Sequence, residues 1–398
     1  MPSRHGDGRA STDGCTVNLP IGSVVEAATK ETQMPGRRRI FIRTFIRVAA
    51  VTTLLLLLQP GIRAVQSAAT GSPDPAVDAA TKQRVIDGAI EHLKNAYILA
   101  DVAEKMAAAI RERAARNEYD AITGSRAFAD ALTTHLQGVS NDKHLRVLFN
   151  AEGFPERRTP TPEERDRMRA AERRGNYGFQ RVERLDGNVG YIELRGFSGS
   201  PDAGPTAVAA MNFVAGTDAL MFDLRANGGG SPAMIGLLSS YLFDDVVHLN
   251  DFYIRERDEH RQFWTSPHVQ GQRYGSTKPV YILTSNRTFS AAEEFTYNLK
   301  NLKRAIVVGE TTGGGAHPGG VRRITDHFGI WVPNGRAINP ITKTNWEGTG
   351  IEPDVKVASA DALKAAHLDA LQKLRTAATD SRYQQELDRA IVTLKDAK

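Results

Sequence analysis

The segment Thr284–Phe295, TSNRTFSAAEEF, places Ser290 between the apolar run PVYIL and a helix-like pattern. A hydroxyl at the end of a strand and the start of a helix is well exposed. The free N–H groups of a helix start can also stabilise negative charge beside it. Such a serine can attack a carbonyl carbon if a nearby base takes its proton. The same letters support a plainer role, because Ser290 and Glu293 have the spacing of a capping box. No G-x-S-x-G surrounds Ser290, so the elbow of α/β-hydrolases is not spelled out. Candidate bases are His317 and His327 downstream and His144, in SNDKHLRV, far upstream. Residue type alone does not choose among them.

Two glycine-rich loops follow other apolar runs. DLRANGGGSPAM (Asp223–Met234) comes after DALMF and precedes a helical pattern. Backbone N–H groups in such a loop can face an anion. The segment has neither the G-x-x-x-x-G-K-[ST] of a phosphate loop nor G-x-G-x-x-G. An oxyanion hole becomes the better reading of this loop only if a nucleophile lies alongside. GETTGGGAHPGG (Gly309–Gly320) follows RAIVV, and NWEGTGIEPDV (Asn345–Val355) holds Glu347 between Trp346 and Gly348. That glutamate suits a carboxylate held in a partly apolar site, and equally an exposed loop.

The elements that must position these residues sit in a chain of 398 residues, 41% of them hydrophobic. That length suits two domains and a sizeable core. Residues 1–67 hold 9 of the 51 Lys/Arg and 4 of the 46 Asp/Glu, which leaves 42 of each in residues 68–398. A formally neutral body lacks the basic footprint of a nucleic-acid partner. Arg37, Arg38, Arg39, Arg43 and Arg47 precede the apolar run Val48–Leu58, and Ala64–Ala69 supplies small residues for cleavage. The pattern is that of an export signal, with Met34 a plausible start. This run of 11 residues falls short of the roughly 20 that span a bilayer. A periplasmic or extracellular protein without stable membrane insertion is expected. Cys15, the single cysteine, precedes the signal. The exported part therefore has no disulfide, thiol nucleophile or thiolate metal site.

Residues 68–150 read as a helical domain, with VIDGAIEHL, AEKMAAAIRERA and FADALTTHL each spacing apolar residues three and four apart. HLRVLFN alternates as a strand. Residues 151–176 are highly charged, as a solvated connector or an exposed helix. From 177 to 358, NVGYIEL, DALMFDL, PVYIL and RAIVVG alternate with helical segments, which predicts an α/β fold with a mainly parallel sheet and crossover helices. HFGIWVPNG suggests a hairpin closing on Asn334-Gly335. Residues 359–398 read as a helical tail.

The ordered set NVGYIEL, FDLRANGGG, VYILTSNRTFSAAEEF, VVGETTGGG and NWEGTGIEPDV resembles the carboxyl-terminal processing peptidase superfamily. Its members include the tricorn core protease and interphotoreceptor retinoid-binding protein. The resemblance spans about Tyr177–Val357, and the helical part ending in SNDKHLRV is similar to the amino-terminal domain of bacterial relatives of the retinoid-binding branch. It implies a crotonase-like sheet and a serine peptidase acting on peptides or unfolded proteins, with no cofactor and no metal. In one branch a lysine within a G-K-G motif after the serine is the general base. Here that stretch reads Gly313-Gly314-Gly315. The tricorn-like branch uses an upstream histidine and a glutamate after the sheet, positions matched by His144 and Glu347. A serine stands before the histidine in that branch, where this chain has Lys143. Only 32 residues separate His144 from Tyr177, too few for a PDZ module. The implied set is Ser290 as nucleophile, His144 as base, Glu347 orienting it, and Gly229 or Gly230 with Ala291 as oxyanion donors. An apolar-ligand carrier or an inactive scaffold is the alternative on the same fold.

Overall fold

The computed structural model describes residues 73–155 and 160–396, all within a compact unit running from Thr70. The export-signal segment, Met34 and Cys15 lie outside the described residues. Three helices open the unit, α1 (Ala79–Ala96), α2 (Ala100–Ala115) and α3 (Ser125–Ser140). The Asp78 carboxylate caps α1 by accepting from Thr81 N at 2.6 Å. The apolar stripes then meet, Val85, Ala89 and Leu93 of α1 sharing a core with Met106, Ile110, Phe128 and Leu132.

This bundle does not close on itself. Strand β1 (Arg146–Phe149) pairs antiparallel with Phe328–Pro333 from the far end of the chain. Phe328, Ile330 and Val332 of that distant strand complete the core of the bundle. The charged stretch that follows β1 is helical over α4 (Pro162–Arg174), which buries no residue. Its start is written in the letters, with Thr161 and Glu164 in a reciprocal capping box and Pro162 in the first turn.

The α/β part begins with β2 (Phe179–Leu185), β3 (Val189–Leu194), α5 (Gly204–Val214), β4 (Ala219–Asp223) and α6 (Pro232–Ser240). A small sheet adds β5 (His248–Ile254) and β6 (Glu259–Trp264) before β7 (Val280–Thr284), α7 (Ala291–Asn301) and β8 (Ile306–Gly309). The chain ends with β9 (Gly319–Arg323), β10 (Phe328–Pro333), β11 (Gly335–Ile338), β12 (Val355–Lys356), α8 (Ala362–Ala377) and α9 (Ser381–Asp396). The main sheet runs β12-β8-β7-β4-β3-β2. All its pairs are parallel except β2 with β3. Side chains alternate across it as a pleat requires. Ile192, Phe222 and Ile282 pack under α5, α6 and α7, whereas Tyr191, Met221 and Tyr281 pack under α8 and α9. Both faces are covered, which is why these strands read as unbroken apolar runs.

Asn334-Gly335 is not the hairpin turn suggested by the sequence. The hairpin is β9–β10, while after Asn334 the chain crosses into a different sheet, where β11 pairs with β5. At this change of partner Gly335 lies close to the β5 backbone; a Cβ there would lie 2.9 Å from Tyr253 O.

Candidate active site

Strands β4, β7 and β8 are parallel, so the loops leaving their carboxyl ends gather on one edge of the sheet. Ser290 stands at the head of α7 with φ 54° and ψ −122°. A non-glycine residue in such a conformation is strained and persists only where its surroundings hold it. Here the β4 and β7 loops are stitched together beneath it. Thr288 Oγ1 donates to Leu224 O at 2.8 Å, Ser285 Oγ donates to Arg225 O at 2.5 Å, and Phe289 N donates to Asn227 O at 3.1 Å.

Glu293 does more than the capping box foretold. Its fully buried carboxylate accepts from Ser290 N (2.9 Å), Thr312 Oγ1 (2.5 Å), Gly314 N (2.6 Å) and Gly315 N (2.8 Å). One side chain therefore fixes the Ser290 turn against the glycine loop after β8. Burial raises its pKa above the usual carboxylate range, against the pull of these four donors.

His144 arrives from the other side, on the turn before β1. The Asp142 carboxylate accepts from His144 N at 3.0 Å, and the imidazole packs on the Phe289 ring with centroids 4.5 Å apart. Burial pushes the imidazole down to about 4, with Asp142 opposing and the neighbouring His317 and Arg146 adding to it. It is thus an uncharged ring at neutral pH, the form a base requires. Its Nδ1 is buried and has no hydrogen-bond partner among the described residues. Gly315, the last of the three loop glycines, is fixed by sterics here. A Cβ on Gly315 would lie 2.2 Å from Phe289 Cζ and 2.8 Å from His144 Cε1. The glycine loop leaves its space to the Phe289–His144 pair, while Lys143 Nζ donates to Gly313 O at 2.5 Å.

Glu347 is held by the same loop. Its Oε2 accepts from Ala316 N at 2.5 Å, and the neighbouring Trp346 indole donates to Gly315 O at 2.8 Å. Burial and the nearby Asp142 carboxylate raise Glu347 to about 7, with His317 and the Ala316 N–H pulling the other way. Oε1 of Glu347 is buried without a partner among the described residues. Glu347 lies beside His317, 3.7 Å from its Nδ1; that Nδ1 is hydrogen-bonded to Asp142 at 2.9 Å. Asp142 also accepts from the Tyr97 hydroxyl at 3.1 Å. Asp142, His317 and Glu347 bring three ligand atoms within 4.8 Å of one another, a group able to hold a metal ion. In this structure Asp142 and His317 satisfy one another directly.

Ser290 and His144 line one cleft of about 650 Å³, together with Arg146, Leu148, Phe289 and Trp331. His144 is the one histidine among its lining residues. His317 sits behind it and is buried, and the His327 ring bonds to Asn150 O in a separate region. Gly228 and Gly230 form the opposite wall. Gly229 lies directly against Ser290, since a Cβ on it would be 2.8 Å from Ser290 Cβ and 2.9 Å from Ala291 N. The Gly229 N–H is committed to Asn227 Oδ1 at 2.9 Å. The Gly230 N–H donates to no backbone carbonyl among the described residues. Sequence reasoning did not single out Asp142 or Tyr97. Asp142 was legible at most as an acid two residues before a histidine, and Tyr97 carried no signal.

Residues 188–357 match the family model "Peptidase family S41", and residues 79–176 match "N-terminal domain of Peptidase_S41 in eukaryotic IRBP". The chain carries an S41 peptidase domain. Carboxyl-terminal-processing peptidase 1, chloroplastic, of Arabidopsis thaliana is 30% identical over 187 residues, 46% of this chain and 36% of that protein. Its counterpart, peptidase 2, is 29% identical over 42% of this chain and 31% of its own length. The chain thus spans about a third of these relatives. A putative peptidase from Parabacteroides merdae shares the S41-type fold, with TM-score 0.50 and 17% identity over 73% of this chain and 96% of that one.

Proposed function

We propose that this protein is a serine peptidase that hydrolyses peptide bonds by acyl transfer. The observation that carries the reading is the strained Ser290 at the head of α7, sharing a cleft with a buried, uncharged His144. His144 takes the Ser290 proton as Oγ attacks the scissile carbonyl carbon. The Gly230 and Ala291 N–H groups receive the oxyanion that forms. His144 then returns the proton to the leaving amine, and water releases the acyl group by the same steps in reverse order. Glu347 orients His144 and stabilises its charged form. Support for that role comes from two orphaned atoms, His144 Nδ1 and Glu347 Oε1, both buried and each lacking the partner the other could supply, directly or through one water.

The substrates are peptides or unfolded proteins, reached after export. No helix among the described residues is long and apolar enough to cross a membrane. The test is labelling with a fluorophosphonate followed by digestion of an unfolded protein such as reduced casein. The wild type is expected to be labelled on Ser290 and to cleave. Ser290→Ala should lose both with its fold intact. Cleavage at the wild-type rate by Ser290→Ala would end this reading and leave the carrier or scaffold alternative.

A further inference from the structure

The cleft beside Ser290 contains one permanent cation. In β1 the side chains alternate, so Val147 enters the bundle core while Arg146 and Leu148 face the cleft. Arg146 stands in register opposite Trp331 of β10, and Leu148, Phe289, Pro318 and Trp331 give the surrounding wall its apolar character. The cleft lining includes no carboxylate. Arg146 is exposed and forms no ion pair among the described residues. Its one hydrogen bond is a long contact from Nε to Lys143 O at 3.4 Å, which leaves both terminal nitrogens of the guanidinium without a partner there. It lies close enough to the base for its charge to act on His144.

A guanidinium with free terminal N–H groups in an apolar cleft matches one ligand chemistry above others, a carboxylate bound by two parallel hydrogen bonds. We infer that Arg146 is a specificity residue that recognises a carboxylate on the substrate next to an apolar residue at the cleavage site. This rests on the peptidase reading. The carboxylate has two sources, the free carboxyl terminus of a peptide or an Asp/Glu side chain within it.

The test uses quenched fluorescent peptides of one apolar sequence in four forms, ending in acid or amide and carrying Glu or Gln beside the apolar residue. Wild-type protein is expected to prefer at least one acid-bearing form over the form with neither acid. A preference that follows the terminus identifies one source, and a preference that follows Glu identifies the other. Arg146→Gln should lower kcat/KM for the preferred peptide by about 10- to 100-fold, the size of a lost charge-assisted hydrogen bond. It should leave the neutral peptide and the fluorophosphonate labelling rate of Ser290 at pH 8 near wild type. Arg146→Lys should restore part of the preference, and Arg146→Glu should favour a peptide with Lys in place of Glu. Equal rates on all four peptides, or an equal loss on all of them in Arg146→Gln, would overturn the assignment. Absence of Ser290 labelling in the wild type would instead strike at the peptidase reading itself.

Discussion

Replacing Gly229 by alanine tests the geometry behind Ser290. Gly229 has φ +114°, and its Cβ would stand 2.8 Å from Ser290 Cβ, 2.9 Å from Ala291 N and 3.1 Å from Phe289 O. Two of those three atoms are backbone, so no side-chain rotation relieves the contact. The disfavoured φ costs about 1–3 kcal/mol, and overpacking adds about 1–3 kcal/mol. Together they amount to roughly 2–6 kcal/mol, a large part of a typical total stability of about 5–15 kcal/mol. The adjacent Gly228 is a matched control for folding, because a Cβ there meets nothing within 4 Å. Gly229→Ala should melt roughly 5–20 °C below Gly228→Ala, from a scale of about 2–4 °C per kcal/mol. Where it stays folded, Ser290 is pushed off its position. A displacement near 1 Å costs about 100-fold in rate, which fluorophosphonate labelling would read. Equal melting temperatures for the two variants, with wild-type labelling of Gly229→Ala, would refute the close approach.

Three further outcomes follow from the buried groups. His144 is held at about 4 against an ordinary 6.5, so the acid limb of Ser290 labelling should fall near pH 4; a limb near pH 7 would instead point to Glu347, raised to about 7. The same depressed pKa gives stability that is present above about pH 6.5 and lost as pH falls through about 4. Glu347, raised to about 7, acts in the opposite sense, so the loss should be clearest in Glu347→Gln melts between those limits. Glu293→Gln keeps the shape but puts an amide donor against N–H and hydroxyl donors. It should destabilise by about 2–5 kcal/mol in chemical denaturation, and an unchanged midpoint would deny Glu293 its anchoring role.

The parts of the fold that were legible are those where local pattern and burial agree. β3, β4, β7 and β8 lie under helices on both faces and so spell continuous apolar runs. The strands β5, β6 and β9, written HLNDFYI, EHRQFW and GGVRR, lie in small sheets with partial exposure, and their polar letters gave no period to follow. In the site, Ser290 was visible as a strand-to-helix serine, and Glu293 as its capping partner. The other three donors to Glu293 come from a loop about 20 residues away, which no local pattern encodes. Asp142 gathers Tyr97, His144 and His317 only because β1 folds onto β10. The requirement for glycine at 315 is likewise set by rings that arrive from elsewhere.

The pairing of β1 with β10 has a consequence in time as well as in space. Arg146 meets Trp331, 185 positions later in the chain, and the bundle core lacks Phe328, Ile330 and Val332 until that strand is present. A ribosome makes the histidine side first and the completing strand near the end, and a contact between such distant positions forms late. The emerging chain therefore holds His144, and later Ser290, before the strand that completes the bundle core is present. On the proposed peptidase reading, a chain that has not yet reached β10 (Phe328–Pro333) would be without cutting power.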